Sequence, residues 1–208
     1  RYTISEGGFY MAEAFFQATA WTMDTPKPYG AFHLVLTVLG VSLSIFLARK
    51  FSFPERKAGP DTILFLCGLF LGLTELYKQG FIYYIENGRT YDWWYFPFQL
   101  CSVPMYLGLF IPMVPARIRN VFYLFIQDFG LLGGIMALAE PSGLMHPYWT
   151  MTVHGFLWHF NLIFMGLICA FYNLKTETPK SYLHTIPLFL FCTAIATAVN
   201  VLSHPYGN

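Results

Sequence analysis

The chain has little charge. Only 11% of its 208 residues are Asp, Glu, Lys or Arg, and twelve basic against eleven acidic side chains leave a formal net charge of +1. That balance offers no basic field for a nucleic acid, and no nucleic-acid partner is expected. The first 25 residues lack a basic start followed by an apolar block, so no cleavable signal peptide is expected in them. The four cysteines, Cys67, Cys101, Cys169 and Cys192, all fall in apolar runs, which argues against a disulfide framework. His154 and His159 are not at i, i+4 spacing, and no second acidic or histidine cluster accompanies them, so no metal is expected. A phosphate loop, a dinucleotide fingerprint and a haem-type histidine pair are also missing, and no cofactor is expected. No charged linker, low-complexity tract or repeat divides the chain.

What the chain has in quantity is apolar sequence. It is 56% hydrophobic and 20% aromatic, with a mean hydropathy of +0.48. These values exclude an ordinary soluble domain. The apolar runs predict an all-α, polytopic membrane protein with a six-helix transmembrane bundle. The spans cover residues 30–49, 61–85, 93–113, 117–138, 148–173 and 182–203, each near the ~20 residues that a bilayer core requires. Residues 29–208 form this domain, and residues 1–28 precede it. Within 4–24, Met11, Phe15, Phe16, Trp21 and Met23 are interrupted by Glu6, Glu13, Gln17 and Asp24, which predicts a short interfacial helix.

Basic residues set the expected orientation. The connections after spans one, three and five carry Arg49, Lys50, Arg56, Lys57, Arg117, Arg119, Lys175 and Lys180, whereas the opposite side has only Arg1, Lys27 and Arg89. The positive-inside rule then puts both termini outside. Trp93, Trp94, Tyr95, Tyr148 and Trp149 fall where an outer aromatic belt belongs.

Against this background a few polar residues stand out. Glu75, Cys101, Asp128 and His159 lie in four different spans, and counting 1.5 Å per residue from the outer ends places them roughly 12–16 Å deep. An ionisable group in hydrocarbon is costly, so each should face the interior and find a partner. Glu75 has Lys78 and Gln79 at i+3 and i+4 on its own face. Asp128 has no cation within a helical turn and calls for a donor from another helix, or a proton.

Thiol, imidazole and carboxylate together suggest nucleophilic chemistry. A thiol in apolar surroundings is inert until a base takes its proton. A carboxylate behind the imidazole would fix its tautomer. Cys101, His159 and either Glu75 or Asp128 can fill those roles. His154 is a second candidate base, about 140° from His159 around the helix. Gln99 and Ser102 can donate to an oxyanion or satisfy backbone freed by Pro97. Gly130, Gly133 and Gly134 favour close helix packing.

These residues carry a resemblance. Phe96-Pro97-Phe98-Gln99-Leu100-Cys101, after Trp93-Trp94, resembles the Leu-Pro-Leu-(His/Gln)-Leu-Cys segment of the YwaF-like bacterial integral membrane proteins. Glu75 before it, and Ala137-Leu138-Ala139-Glu140-Pro141, Trp158-His159 and Asn200-Val201-Leu202 after it, occur in the same order in that family, over about residues 60–208. Phe96 and Phe98 stand where leucines are usual, and His154 is additional. That family is related to eukaryotic transmembrane protein 164, an acyltransferase acting on phospholipid acyl chains through a cysteine and a histidine. The resemblance implies Cys101 as acyl acceptor, His159 as its base, membrane lipids as partners and a bacterial plasma membrane as the location. Two other readings stay open: a small-solute or proton-coupled transporter, and a structural or accessory subunit of a larger membrane complex.

Overall fold

The computed structural model describes residues 6–52, 60–173, 178 and 180–203. The described residues form an all-α protein of seven helices. These are α1 (Glu6–Ala18), α2 (Ala31–Phe51), α3 (Asp61–Phe81), α4 (Leu100–Met113), α5 (Ala116–Ala139), α6 (Trp149–Asn173) and α7 (Ser181–Ser203). Four of them, α2, α5, α6 and α7, are long and apolar enough to cross a membrane. The predicted six-span bundle therefore reduces to four candidate spans by length and composition. Helix α3 has 21 residues, but Glu75, Lys78 and Gln79 lower the hydropathy of its second half.

The predicted span 93–113 is interrupted. Its helix covers only Leu100–Met113. Before it, Trp93–Tyr95 makes a single 3-10 turn and Phe96 is extended (φ −56°, ψ 127°). Pro97 is the cause, because its ring excludes the helical region for the preceding residue. Pro104 does no such damage. It sits in the first turn of the α-helical part of α4, where its missing N–H would have had no partner. Residues 87–99 therefore form a strap across one end of the bundle.

Helix α6 is the axis. It packs against α2, α3 and α5, and buries Phe156, Trp158, Leu162, Met165 and Cys169. Glycines set the closest approaches. A Cβ at Gly68 of α3 would lie 2.7 Å from the Leu109 nitrogen, and one at Gly108 of α4 would lie 2.7 Å from the Leu64 oxygen. Backbone therefore meets backbone between α3 and α4, as small residues allow in membrane helices. At Gly40 of α2 a Cβ would meet the Phe160 ring of α6 at 2.2 Å. Nearby, Ser44 Oγ donates to the Phe160 carbonyl at 3.2 Å.

Helix α1 lies within the predicted 4–24 segment and folds onto the strap end. Phe16 stacks on Tyr84 (5.5 Å between ring centroids) and fills the space beside Gly80. The Thr19 hydroxyl and the Tyr77 phenol are 2.6 Å apart. Glu13 pairs with Arg89. Arg89 and Gly88 both have left-handed backbone (φ 69° and 54°) in the turn that opens the strap, a region that glycine adopts without steric cost.

Helix α7 is anchored differently. Its first turn, Ser181–Thr185, packs on the start of α5, and Phe189 stacks on Phe129 at 4.9 Å. Beyond that point it stands away from the bundle, and only 11% of its apolar window is buried. The basic residues Arg1, Arg56, Lys57 and Lys175 used in the orientation argument lie outside the described residues.

Candidate functional site

Cys101 is placed by the short helix α4. It sits in the first turn, Leu100–Ser102, just after the strap, and not halfway down a straight helix. The count of about 12 Å at 1.5 Å per residue does not apply, because residues 96–99 are not helical. Gly133 of α5 makes room for it: a Cβ there would lie 3.7 Å from the Cys101 Cβ. Trp158 of α6 holds the backbone, its indole N–H donating to the Cys101 carbonyl at 3.2 Å. The Cys101 thiol points toward Gln99, with Sγ 3.8 Å from Oε1.

His159 lies one residue after Trp158 on α6. Its Nδ1 is 2.7 Å from the Gly155 carbonyl oxygen. A carbonyl only accepts, so Nδ1 carries the proton, and in the neutral ring Nε2 keeps the lone pair. Gly134 of α5 fixes the spacing at this level, since a Cβ there would lie 3.0 Å from the His159 oxygen and 2.7 Å from Ile163 Cγ1.

Cys101 and His159 line one cavity of about 260 Å³. His154 lines it too, although it leaves α6 about 140° away. Gly155, between the two histidines in the sequence, lines the cavity as well. The His154 ring lies 5.5 Å from that of Trp158, and its Nε2 is buried without a hydrogen-bond partner among the described residues. No hydrogen bond joins Cys101 to either imidazole among the described residues. The thiol and the two imidazoles share the walls of one cavity.

The carboxylates are placed differently from the expectation. Glu75 is buried, and the local pairing expected of it is present. Its Oε2 is 2.8 Å from Lys78 Nζ, off the hydrogen-bond line, and its Oε1 accepts from Gln79 Nε2 at 2.7 Å. Gln79 also donates to the Tyr95 carbonyl at 2.6 Å, which fastens the strap to α3. Glu75 thus reaches the cavity through Lys78, which lines it and lies 5.9 Å from the centre of the Trp158 ring. Asp128 sits in a π-helical turn of α5, Ile126–Gly130, and its Oδ1 is 3.4 Å from Gln127 Nε2. It is not among the residues lining the cavity. The group that fixes the His159 tautomer is the Gly155 carbonyl, a backbone atom that no side-chain pattern reveals.

Two basic members of the wall lie outside the candidate set. The sequence marks Lys78 only as a partner for Glu75, yet a lysine inside an apolar span is itself a marked residue. His146 stands just before α6, 3.7 Å from Glu86 Oε1. Nothing in its local sequence signals a site. Ser102, noted as a possible donor, is buried in the same wall.

Outside the spans, Glu140 accepts from Ser142 Oγ at 2.6 Å and from Tyr29 OH at 3.2 Å. The Ser142 bond first, and the Tyr29 bond second, hold its carboxyl below the usual carboxylate range. The phenol also bonds the Ala139 carbonyl at 2.9 Å. The Glu140-Pro141 corner therefore fixes the end of α5 that carries Gly133 and Gly134.

A second, larger space of about 790 Å³ lies between the strap, α4 and α7. Trp94, Phe96 and Gln99 line both spaces.

No curated protein and no solved structure matches the chain. The TMEM164 family matches residues 28–208, a region that contains every helix described above except α1. The chain is a membrane protein that belongs to the TMEM164 family.

Proposed function

We propose that the protein is a phospholipid acyltransferase that works through an acyl-Cys101 thioester. The observation that carries this reading is the common cavity of Cys101, His159 and His154, beneath a strap of aromatic residues. The likeness to a cysteine- and histidine-dependent lipid acyltransferase supports it. In the first half-reaction His159 Nε2 takes the thiol proton. The thiolate sulfur bonds to a lipid ester carbonyl carbon, and the carbon–oxygen bond breaks. The imidazolium returns its proton to the departing lysolipid oxygen. In the second, an acceptor hydroxyl gives its proton to His159, its oxygen attacks the thioester carbonyl, the carbon–sulfur bond breaks, and the departing sulfur takes the proton back from the imidazolium to restore the thiol. Lys78 and Ser102, on the same wall, favour the negative charge that develops on the carbonyl oxygen.

Placing Cys101 at the first turn of α4, next to the strap, suits this substrate better than a thiol buried halfway down a span. Ester carbonyls lie near the headgroups, where a tryptophan- and tyrosine-rich strap also belongs. In this reading α3 and α4 also traverse the bilayer, with the strap completing α4. There are then six crossings with both termini outside, in a YwaF-like protein of a bacterial plasma membrane.

Incubating purified protein with phospholipid carrying a labelled acyl chain tests the proposal. A hydroxylamine-sensitive adduct is expected on the wild type and not on Cys101→Ala, which should fold normally because cysteine packs as a small hydrophobe. An adduct that persists in Cys101→Ala removes Cys101 from the mechanism.

A further inference from the structure

We infer that the groove between the strap and α7 is a binding site for one hydrocarbon chain of a membrane lipid, held alongside the Cys101 cavity. The inference rests on the proposed function for the chain's fate, but not for its binding. Three observations support it. First, the groove adjoins the site: Trp94, Phe96 and Gln99 form walls of both spaces. A lipid whose ester lies at Cys101 would reach the groove past these three side chains.

Second, the groove has the length and polarity of a lipid tail. One face of α7 lines it from Phe189 to Ser203, a run of about 21 Å at 1.5 Å per residue. One leaflet's share of a hydrocarbon core is about 15 Å, so a full acyl chain fits along it. Asn200 and Ser203 mark the strap end, and Phe189 and Cys192 mark the deep end. Third, the two faces of α7 differ. Leu190, Phe191, Val201 and Leu202 on the outer face are 59–74% exposed and bulky, as suits contact with bulk lipid. The groove face carries Ala196, Thr193 and Thr197, whose small side chains leave a channel where leucines would fill it. A partner helix would also fit a small-residue face, but it would not require the channel to share walls with a cavity lined by a thiol and imidazoles.

Photolabelling tests the inference. Cys101→Ala protein, which binds without reacting, is reconstituted in phosphatidylcholine vesicles containing a small fraction of phosphatidylcholine with a diazirine at the tail end. Crosslinks are expected to concentrate on the groove face of α7 and on Val103. Ala196→Trp should reduce them at least about tenfold, equivalent to roughly 1.4 kcal/mol of binding, while Leu202→Trp should not. Thr197→Phe fills the same channel with a smaller ring should Ala196→Trp not fold. Labels spread evenly over α2 and both faces of α7, or unaffected by the blocking variants, would overturn the inference. The two proposals separate cleanly. Groove labelling without any Cys101 adduct in the wild type leaves the chain site standing and removes acyl transfer. A Cys101 adduct without groove labelling does the reverse. If both hold, Ala196→Trp should suppress the adduct from dioleoyl phosphatidylcholine more than that from the dioctanoyl lipid.

Discussion

Helices α6 and α7 are both apolar and of membrane length, yet they occupy opposite extremes of burial. Within their most apolar windows α6 is 56% buried and α7 only 11%, although α7 is the more hydrophobic, with a window hydropathy of 2.0 against 1.6. In water the order would be reversed. In a bilayer, lipid is as apolar as leucine, so hydrophobicity does not draw a helix inward, and small and polar side chains do. Helix α6 has those: Gly155, His154, His159 and Asn161 face neighbours, and Asn161 Nδ2 donates to the Cys67 carbonyl at 3.2 Å. Helix α7 is held mainly at its first turns. The molecule thus has a tightly positioned side that carries the Cys101 cavity and a loosely held side that borders the larger groove.

The contrast is testable at both ends. The largest effect is expected on α6. His159→Ala should slow acylation of Cys101 by about 10²–10⁴-fold, the usual contribution of a general base, while thermal unfolding in detergent changes little. If the rate is unaffected, His159 does not serve as the base, and His154→Ala should then show the loss. Next comes the ion pair behind the cavity. Glu75→Gln leaves Lys78 without its counter-ion and should cost toward the lower end of the about 3–5 kcal/mol typical of a broken buried pair, since Lys78 remains partly exposed. Adding Lys78→Met should restore much of that stability. A double variant no better than the single one would show that the pair is not the source of the loss.

The glycines give a finer comparison within one helix. Gly134→Ala places a methyl 2.7 Å from Ile163 Cγ1 and 3.0 Å from the His159 oxygen. It should destabilise by about 1–3 kcal/mol as an overpacked contact. Gly133→Ala meets Cys101 at an ordinary 3.7 Å and should be close to neutral. Equal unfolding temperatures for the two variants would contradict the α5–α6 spacing described. The smallest effect is expected on the outer face of α7, where Leu202→Trp should change stability by no more than about 0.5 kcal/mol.

Much of this organisation was legible in the sequence because bilayer length and hydrophobicity are written residue by residue. The all-α class, the short N-terminal helix, the Glu75–Lys78–Gln79 set and the packing role of Gly134 were all readable from spacing. What could not be read depends on backbone path. Pro97 was visible, but not that it would unwind the chain from Phe96 to Gln99 and bring Cys101 to the first turn of a shorter helix. Depth counting assumed a regular helix and so set Asp128 level with Cys101, whereas Asp128 lies in a π turn outside the cavity lining. The Gly155 carbonyl that orients His159 is the same atom in every residue type, so composition cannot reveal it. Lys78 and His146 escape for other reasons: the pairing with Glu75 already explains Lys78, although a paired cation can still face a cavity, and His146 meets Glu86 only through the fold.

The most direct test compares the two cysteines that belong to the two spaces. Cys101 lines the cavity with the imidazoles, while Cys192 lies along the apolar groove, and the structure shows no base beside it among the described residues. Wild-type protein should be incubated with dioleoyl phosphatidylcholine, digested under conditions that preserve thioesters, and mapped by mass spectrometry over Cys67, Cys101, Cys169 and Cys192. The expected result is an oleoyl mass increment on Cys101 and on no other cysteine. An acyl group on Cys192 instead, or equal labelling of both, would show that the bases around Cys101 do not set the chemistry.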